Sequence, residues 1–142
     1  MIVDTNTLEG APLAWSFARA QGRKTTHSMY GRCIGTPREE WLGWSVYMDP
    51  PDRDEFGILP VSPEFWDTIG DVISENRIEL KYYSDIVVAQ IFYRDGIGRD
   101  EVICKATGKS DTLAATRCFI RLKLGETVDV PDELFTLTQP KV

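Results

Sequence analysis

The chain has 142 residues, of which 42% are hydrophobic and 27% are charged, and its formal net charge at pH 7 is −6. This composition predicts one globular domain with its own core and excludes a largely disordered chain. The acidic balance disfavours nucleic acid as a partner, because phosphate contacts need concentrated positive charge. No apolar run reaches the roughly 18 residues that cross a bilayer, and the first residues lack a secretory pattern. We therefore expect a soluble cytoplasmic protein with no membrane partner.

The N-terminal half is predicted to contain one helix followed by a long irregular segment. The helix should cover about residues 11–21, because Pro12 suits its first turn and Gly22 suits the position after its end. Its apolar residues span a wide arc, which indicates burial against two neighbours. Residues 23–61 are interrupted by glycine and proline and are predicted to be irregular or loop-rich, apart from a candidate strand at 41–48.

The C-terminal half carries clearer signals for strands and for two further helices. A helix is predicted over 62–76, with Ser62 as its N-cap and Pro63 as its first residue. The last helix is predicted from near Ser110 to Gly125, with Ser110 or Asp111 as its cap and Gly125 suited to its end. Between these helices lie three segments with strand patterns, 78–82, 86–93 and 101–106. The first two are separated by a short hairpin turn and the last two by a longer one that contains glycine.

Together these elements predict an α+β fold. Its predicted form is a three-stranded antiparallel meander packed by about three helices, in the order α, irregular segment, α, β, β, β, α. Residues 1–142 are expected to form a single domain. Residues 126–142, which contain two prolines, are expected to be an extended tail lying over that domain.

Catalytic and metal sites are not predicted, because the residues that they need are few and scattered. His27 is the single histidine and lies in a polar stretch, where a surface position without a partner is expected. Cys33, Cys104 and Cys118 form no Cys-x-x-Cys pair and are expected to be reduced and buried. A histidine-activated nucleophile has little support. We expect no cofactor, and an enzyme that relies on carboxylate, lysine and arginine chemistry alone is the weakest alternative.

The strongest candidate for a ligand site lies where Gly108 leads into the last helix. A glycine before a helix start, with free N–H groups, a lysine and hydroxyls nearby, suits an anion. The competing interpretation is ordinary helix capping, with Arg117 paired to a carboxylate in the tail. The candidate ligand-binding residues are Lys105, Lys109, Ser110, Thr112, Arg117 and Arg121.

Four tryptophans are candidates for aromatic contacts with a ligand, since a ring beside an arginine can stack on a base. For Trp15 and Trp66, which belong to predicted apolar helix faces, burial in the core is the favoured interpretation. For Trp41 and Trp44, in the segment predicted to be irregular, core and ligand contact are weighed equally.

Three blocks of sequence carry a resemblance to a known family. The residues concerned are Thr7, Leu8, Gly10, Leu13, Trp15, Ala18 and Gly22, then Trp66, Gly70, Ile73 and Ile78, and finally the segments 108–119 and 123–134. In these blocks, about half of the chain, the sequence resembles the NinX-like phage proteins, a family of unknown function in lambdoid phages and prophages. Leu113 departs from the proline usual in that family. The resemblance implies an accessory protein of phage origin in the bacterial cytoplasm and implies no catalytic residues.

Two hypotheses for function remain open at the level of sequence. The first is a phage or prophage accessory protein that acts by binding, and that antagonises a host protein such as an antiviral defence component. The alternative is a protein that binds or sequesters a nucleotide-like small anion. In either case the chain could be a homo-oligomer.

Overall fold

A computed structural model of the protein describes residues 1–30, 43–55, 57–94, 96–98 and 100–135. Within these residues, helices and antiparallel strands form an α+β fold, as the sequence predicts. The helices are α1 (Gly10–Ala20), α2 (Trp66–Asn76) and α3 (Asp111–Leu124). The strands are β1 (Ile2–Asp4), β2 (Thr25–Tyr30), β3 (Gly43–Met48), β4 (Asp52–Asp54), β5 (Gly57–Leu59), β6 (Glu79–Tyr82), β7 (Val87–Arg94), β8 (Asp100–Gly108) and β9 (Thr127–Asp129).

The predicted meander is formed by β6, β7 and β8, which pair in that order and are antiparallel. Ala89 of the central strand faces Ala106 of β8, and Ile91 faces Cys104. The register then shifts, since Phe92 faces Val102, and β8 carries one extra residue at this bulge. The inward-facing side chains of β7 and β8 pack against α3.

The segment 23–61, predicted to be irregular, contains two antiparallel strand pairs in its described part. In the first pair β2 runs against β3, from Thr25 opposite Met48 to Tyr30 opposite Gly43. The second pair joins β4 to β5. The candidate strand at 41–48 corresponds to β3, whereas β2 was not predicted, because its sequence has no alternating apolar face. Its partner β3 supplies the buried residues, Val46 and Met48.

The second helix begins later than predicted. It starts at Trp66, and Phe65 holds the N-cap position without a side-chain hydrogen bond. Pro63 is buried, and its carbonyl accepts a hydrogen bond of 3.4 Å from Oγ1 of Thr116 on α3. The turn from Ser62 to Phe65 therefore packs against α3 and does not form the first turn of the helix. No local signal distinguishes these two uses of a Ser-Pro-Glu start.

The core is centred on α3, which packs against the meander on one side and against α1 and α2 on the other. The wide apolar arc of α1 is buried, as expected. Phe17 of α1 is fully buried, and its ring meets that of Phe119 edge-on, with centroids 5.7 Å apart. Ala114 and Ala115 have no exposed surface, because small side chains let α3 approach its neighbours closely. None of the helices in the described part of the chain combines the length and apolarity that a bilayer span requires.

The two ends of the described chain are joined to each other. Strand β1 pairs with β9, and the Met1 ammonium donates to Asp129 Oδ1 at 3.0 Å, to Asp132 Oδ1 at 2.6 Å and to the Val130 carbonyl at 2.8 Å. The predicted tail is thus more regular than expected, with β9 followed by a short 3-10 helix, Asp132–Phe135. Residues 136–142 lie outside the described chain.

The 3-10 helix also provides the partner that was not foreseen for His27. The Nε2 atom of His27 lies 2.6 Å from Oε1 of Glu133, and Leu134 is buried nearby against the core. The expectation that His27 has no partner was wrong, because its partner lies 106 residues away in the sequence.

Candidate functional site

The start of α3 is tightly built and internally capped. A Cβ atom on Gly108 would lie 2.8 Å from the backbone nitrogen of Ala114, so close packing requires this glycine. Of the two predicted caps, Ser110 is the N-cap, and its Oγ accepts a hydrogen bond of 3.2 Å from the Leu113 N–H. Thr112 is buried, and its N–H donates to Oδ1 of Asp111 at 2.8 Å. Ordinary capping therefore accounts for these contacts at the helix start.

Arg117 is partly buried next to this helix start. Its Nε donates to the Leu8 carbonyl and its Nη1 to the Thr107 carbonyl, each at 2.8 Å. Burial lowers the pKa of Arg117, and the nearby charge of Glu9 opposes this effect. The carbonyl partners differ from the tail carboxylate considered from the sequence. The guanidinium ties the segment before α1 to the end of β8, and ligand binding by Arg117 stays a prediction.

Asn6 closes the same end of β8 and was not identified from the sequence. Its Oδ1 accepts from the Thr107 N–H at 2.8 Å, and its Nδ2 donates to Thr107 Oγ1 at 3.0 Å. The backbone N–H and carbonyl of Thr107 are thus occupied by Asn6 and Arg117. These contacts block the addition of another strand at this position of the outer strand. An asparagine between two threonines carries no sequence signal for such a role.

The six candidate ligand residues do not form one site. Arg121 follows Ser110 by eleven positions, which corresponds to about 16 Å along a helix axis. Arg121 and Lys105 line a groove of about 390 Å³ beside β8. In this groove Nη2 of Arg121 lies 3.4 Å from Oε1 of Glu126. Each of the two α3 arginines thus has a carboxylate nearby, Glu9 in the case of Arg117 and Glu126 in the case of Arg121.

Lys109 and Ser110 line a different cavity, together with Trp44. This cavity, the Trp44–Lys109 cleft, has a volume of about 680 Å³ and lies between the starts of α1 and α3, strand β3 and the segment 60–64. Its volume is within the range of small-molecule and side-chain pockets. Its apolar lining includes Leu13, Val46, Val61 and Leu113.

The charged lining of the cleft is predominantly acidic. Glu9 and Glu64 line it along with Lys109, and all three are exposed. The Nε1 atom of Trp44 is buried and has no hydrogen-bond partner among the described residues. Its ring meets the His27 ring edge-on at 5.1 Å. The two glutamates were not identified from the sequence, because they lie in segments far from α3 that only the fold brings together.

The remaining tryptophans are placed differently from one another. Trp15 is 9% exposed and belongs to the core, as expected, with the Arg19 guanidinium 4.8 Å from its ring centroid. Trp66 is 50% exposed, so its predicted burial was wrong. It occupies the first turn of α2, ahead of the buried Ile69 and Val72. Trp41 lies outside the described residues.

The described cysteines are reduced and buried, as expected: Cys104 and Cys118 form no disulfide. Cys33 lies outside the described residues. Across the residues that the structure describes, no group of three or more His, Cys, Asp and Glu side chains has the spacing of a metal site.

Comparison of the sequence with protein-family models and with curated proteins gives no match. The resemblance to NinX-like phage proteins therefore stays a prediction from the sequence blocks that carry it.

Proposed function

We propose that this chain is a phage or prophage accessory protein that acts by binding a host protein, such as a component of antiviral defence, through the Trp44–Lys109 cleft. The observation that carries the proposal is the composition of this cleft, in which an apolar lining is accompanied by two carboxylates and one ammonium group. The resemblance to an accessory phage family and the net charge of −6 support the same function.

The lining favours a protein segment that presents an apolar side chain next to a basic one. Leu13 and Val46 offer apolar surface to the apolar side chain of the partner. The two carboxylates of Glu9 and Glu64 outnumber the Lys109 ammonium and attract the basic side chain of the partner.

The second candidate function is binding of a nucleotide-like anion in the same cleft. It is supported by the presence of Lys109 and an aromatic ring, which suit a phosphate and a base. Glu9 and Glu64 oppose it, because both repel a phosphate group. Ser110 offers little to such a ligand, since its hydroxyl already caps α3.

The test is a binding measurement with charge variants of the cleft. A partner captured from host lysate is identified, purified and titrated against wild type and against Glu9→Gln/Glu64→Gln. We expect the double variant to bind about tenfold more weakly, because two attractive charges are lost. The control is Glu75→Gln/Glu101→Gln, which removes the same charge from exposed positions outside the cleft lining. Equal affinity for the wild type and the cleft variant would refute the proposed site.

The same samples distinguish the alternative. Native mass spectrometry of the protein from its bacterial host, with and without added ATP, detects a bound nucleotide and also reports the oligomeric state. Nucleotide binding that Lys109→Gln abolishes, with no host protein captured, would favour the second function over the first.

A further inference from the structure

Two thiols meet where β8 packs on α3. Cys104 is 7% exposed and Cys118 is 0% exposed. The Cys104 thiol donates to the Cys118 carbonyl, with Sγ and O 3.4 Å apart. The pair joins a strand to a helix across 14 residues of sequence. Neither the sequence pattern nor the proposed function uses these two side chains.

The two thiols differ in their access to solvent. Cys104 lines the groove of about 390 Å³ beside β8, with Lys105, Arg121 and Glu126. Cys118 is fully enclosed. A small solute that enters the groove can therefore meet Cys104, whereas Cys118 does not line the groove.

The local charges favour the thiolate form of Cys104. A hydrogen bond from the Cys118 thiol lowers the pKa of Cys104 to about 7, and the Arg121 charge and the Lys105 N–H act in the same direction against the effect of burial. The hydrogen bond with Cys104, together with burial, raises the pKa of Cys118. A reactive thiolate beside a protonated second thiol is the arrangement of redox-active cysteine pairs.

We propose that Cys104 is a hydroperoxide-reactive thiol and that Cys118 resolves its oxidised form into an intramolecular disulfide. The groove beside β8 admits the peroxide. This site is separate from the Trp44–Lys109 cleft and does not depend on the function proposed for that cleft.

The reaction has two balanced steps. The Cys104 thiolate attacks the OH oxygen of the hydroperoxide, an S–O bond forms and the O–O bond breaks, and the leaving hydroxide or alkoxide takes up from solvent the proton that the thiol released when it ionised. Sulfur is oxidised by two electrons to the sulfenic acid and the peroxide is reduced. The Cys118 sulfur then attacks the Cys104 sulfur, an S–S bond forms, the S–O bond breaks, and water leaves with the Cys118 proton. A reducing thiol reverses the disulfide.

The first experiment maps the product. The full chain carrying Cys33→Ser, which leaves the proposed pair as the remaining cysteines, is treated with hydrogen peroxide and digested without reduction. We expect a linked pair of peptides containing Cys104 and Cys118, and its loss after treatment with a thiol reductant. Oxidation of both residues without a link, or no oxidation faster than that of the same protein unfolded in urea, would overturn the proposal.

Trapping the intermediate assigns the two roles. In Cys33→Ser/Cys118→Ala the sulfenic acid at Cys104 is expected to accumulate and to react with dimedone. In Cys33→Ser/Cys104→Ala no such adduct is expected at Cys118. The opposite distribution would refute the assignment. If either alanine variant fails to fold, the linked-peptide result in Cys33→Ser alone still decides whether the pair reacts.

Two matched charge variants on α3 test the role of the groove beside β8. Arg121→Gln is expected to slow alkylation of Cys104 by iodoacetamide at neutral pH by about threefold, because a nearby positive charge stabilises the thiolate. Lys123→Gln removes the same charge from the same helix outside the groove lining and should leave the rate unchanged. Equal rates of Cys104 alkylation in the two variants would show that Arg121 does not activate the thiol.

Discussion

The guanidinium of Arg117 and the carbonyl oxygen of Leu8 are joined by a hydrogen bond of 2.8 Å across 109 residues of sequence. The same side chain holds the Thr107 carbonyl at 2.8 Å. Leu8 is itself buried in the core. Arg117 thus connects the segment before α1 to the strand that leads into α3. Its observed hydrogen bonds are therefore structural contacts between distant parts of the chain.

Replacing Arg117 by methionine is expected to lower the free energy of unfolding by about 2–4 kcal/mol. The substitution keeps the aliphatic stem but leaves two carbonyls without their charged donor. Urea denaturation measures the change. Arg121→Met is the control, because its ion pair is with Glu126, whose side chain is 83% exposed, and the expected cost is below about 1 kcal/mol. Similar losses in both variants would contradict the structural role of Arg117.

Gly108→Ala is expected to destabilise the protein by about 1–3 kcal/mol, because the new Cβ would lie 2.8 Å from the Ala114 nitrogen and 3.0 Å from Leu113 Cγ. Gly70→Ala is the matched substitution. Gly70 lies within α2 with no atom near its added Cβ, so alanine should stabilise the helix by about 0.5–1 kcal/mol. Urea midpoints that fall for Gly108→Ala and rise for Gly70→Ala would support the close packing at Gly108 and the open space at Gly70. An unchanged midpoint for Gly108→Ala would refute the close packing.

Trp15 and Trp66 should differ in their contributions to stability, although both were expected in the core. Trp15→Ala removes a ring that is 9% exposed and should cost about 3–5 kcal/mol. Trp66→Ala removes one that is 50% exposed and should cost less than about 1 kcal/mol. Thermal unfolding compares the variants. Iodide quenching of tryptophan emission gives a second measure, since the loss of accessible emission should occur only in Trp66→Ala.

The amino terminus should make stability depend on alkaline pH. Hydrogen bonds to Asp132 and Asp129 raise the pKa of the Met1 ammonium from its ordinary value of 8.0. A raised pKa gives stabilisation that is complete below pH 8.0 and is lost as pH rises through the higher folded value. The difference in unfolding free energy between wild type and Asp132→Asn should therefore be largest at neutral pH and shrink in alkaline buffer. Glu133→Gln, whose carboxylate contacts His27, should show no such alkaline trend.

The candidate site was only partly accessible to sequence reasoning. Ser110 was identified as a helix cap because capping involves residues three positions apart. Arg117 was identified as a candidate ligand-binding residue, but its partners Leu8 and Thr107 were not identified. Every residue has a backbone carbonyl, so residue type does not indicate which carbonyl accepts a hydrogen bond. The cleft was missed as a unit, because Glu9 and Lys109 come from opposite ends of the chain.

The sequence by itself determined the α+β class, the positions of α1 and α3 and the three strands of the meander. These features follow from apolar periodicity and from residues at helix ends, which act over a few positions. Only the tertiary structure decided that Trp15 is buried and Trp66 is exposed, and that Cys104 and Cys118 lie next to each other. It also decided that Lys109 and Ser110 line one cavity while Lys105 and Arg121 line another. The physical reason is that burial and contact over long sequence distances depend on how the elements pack, and local patterns do not specify that packing.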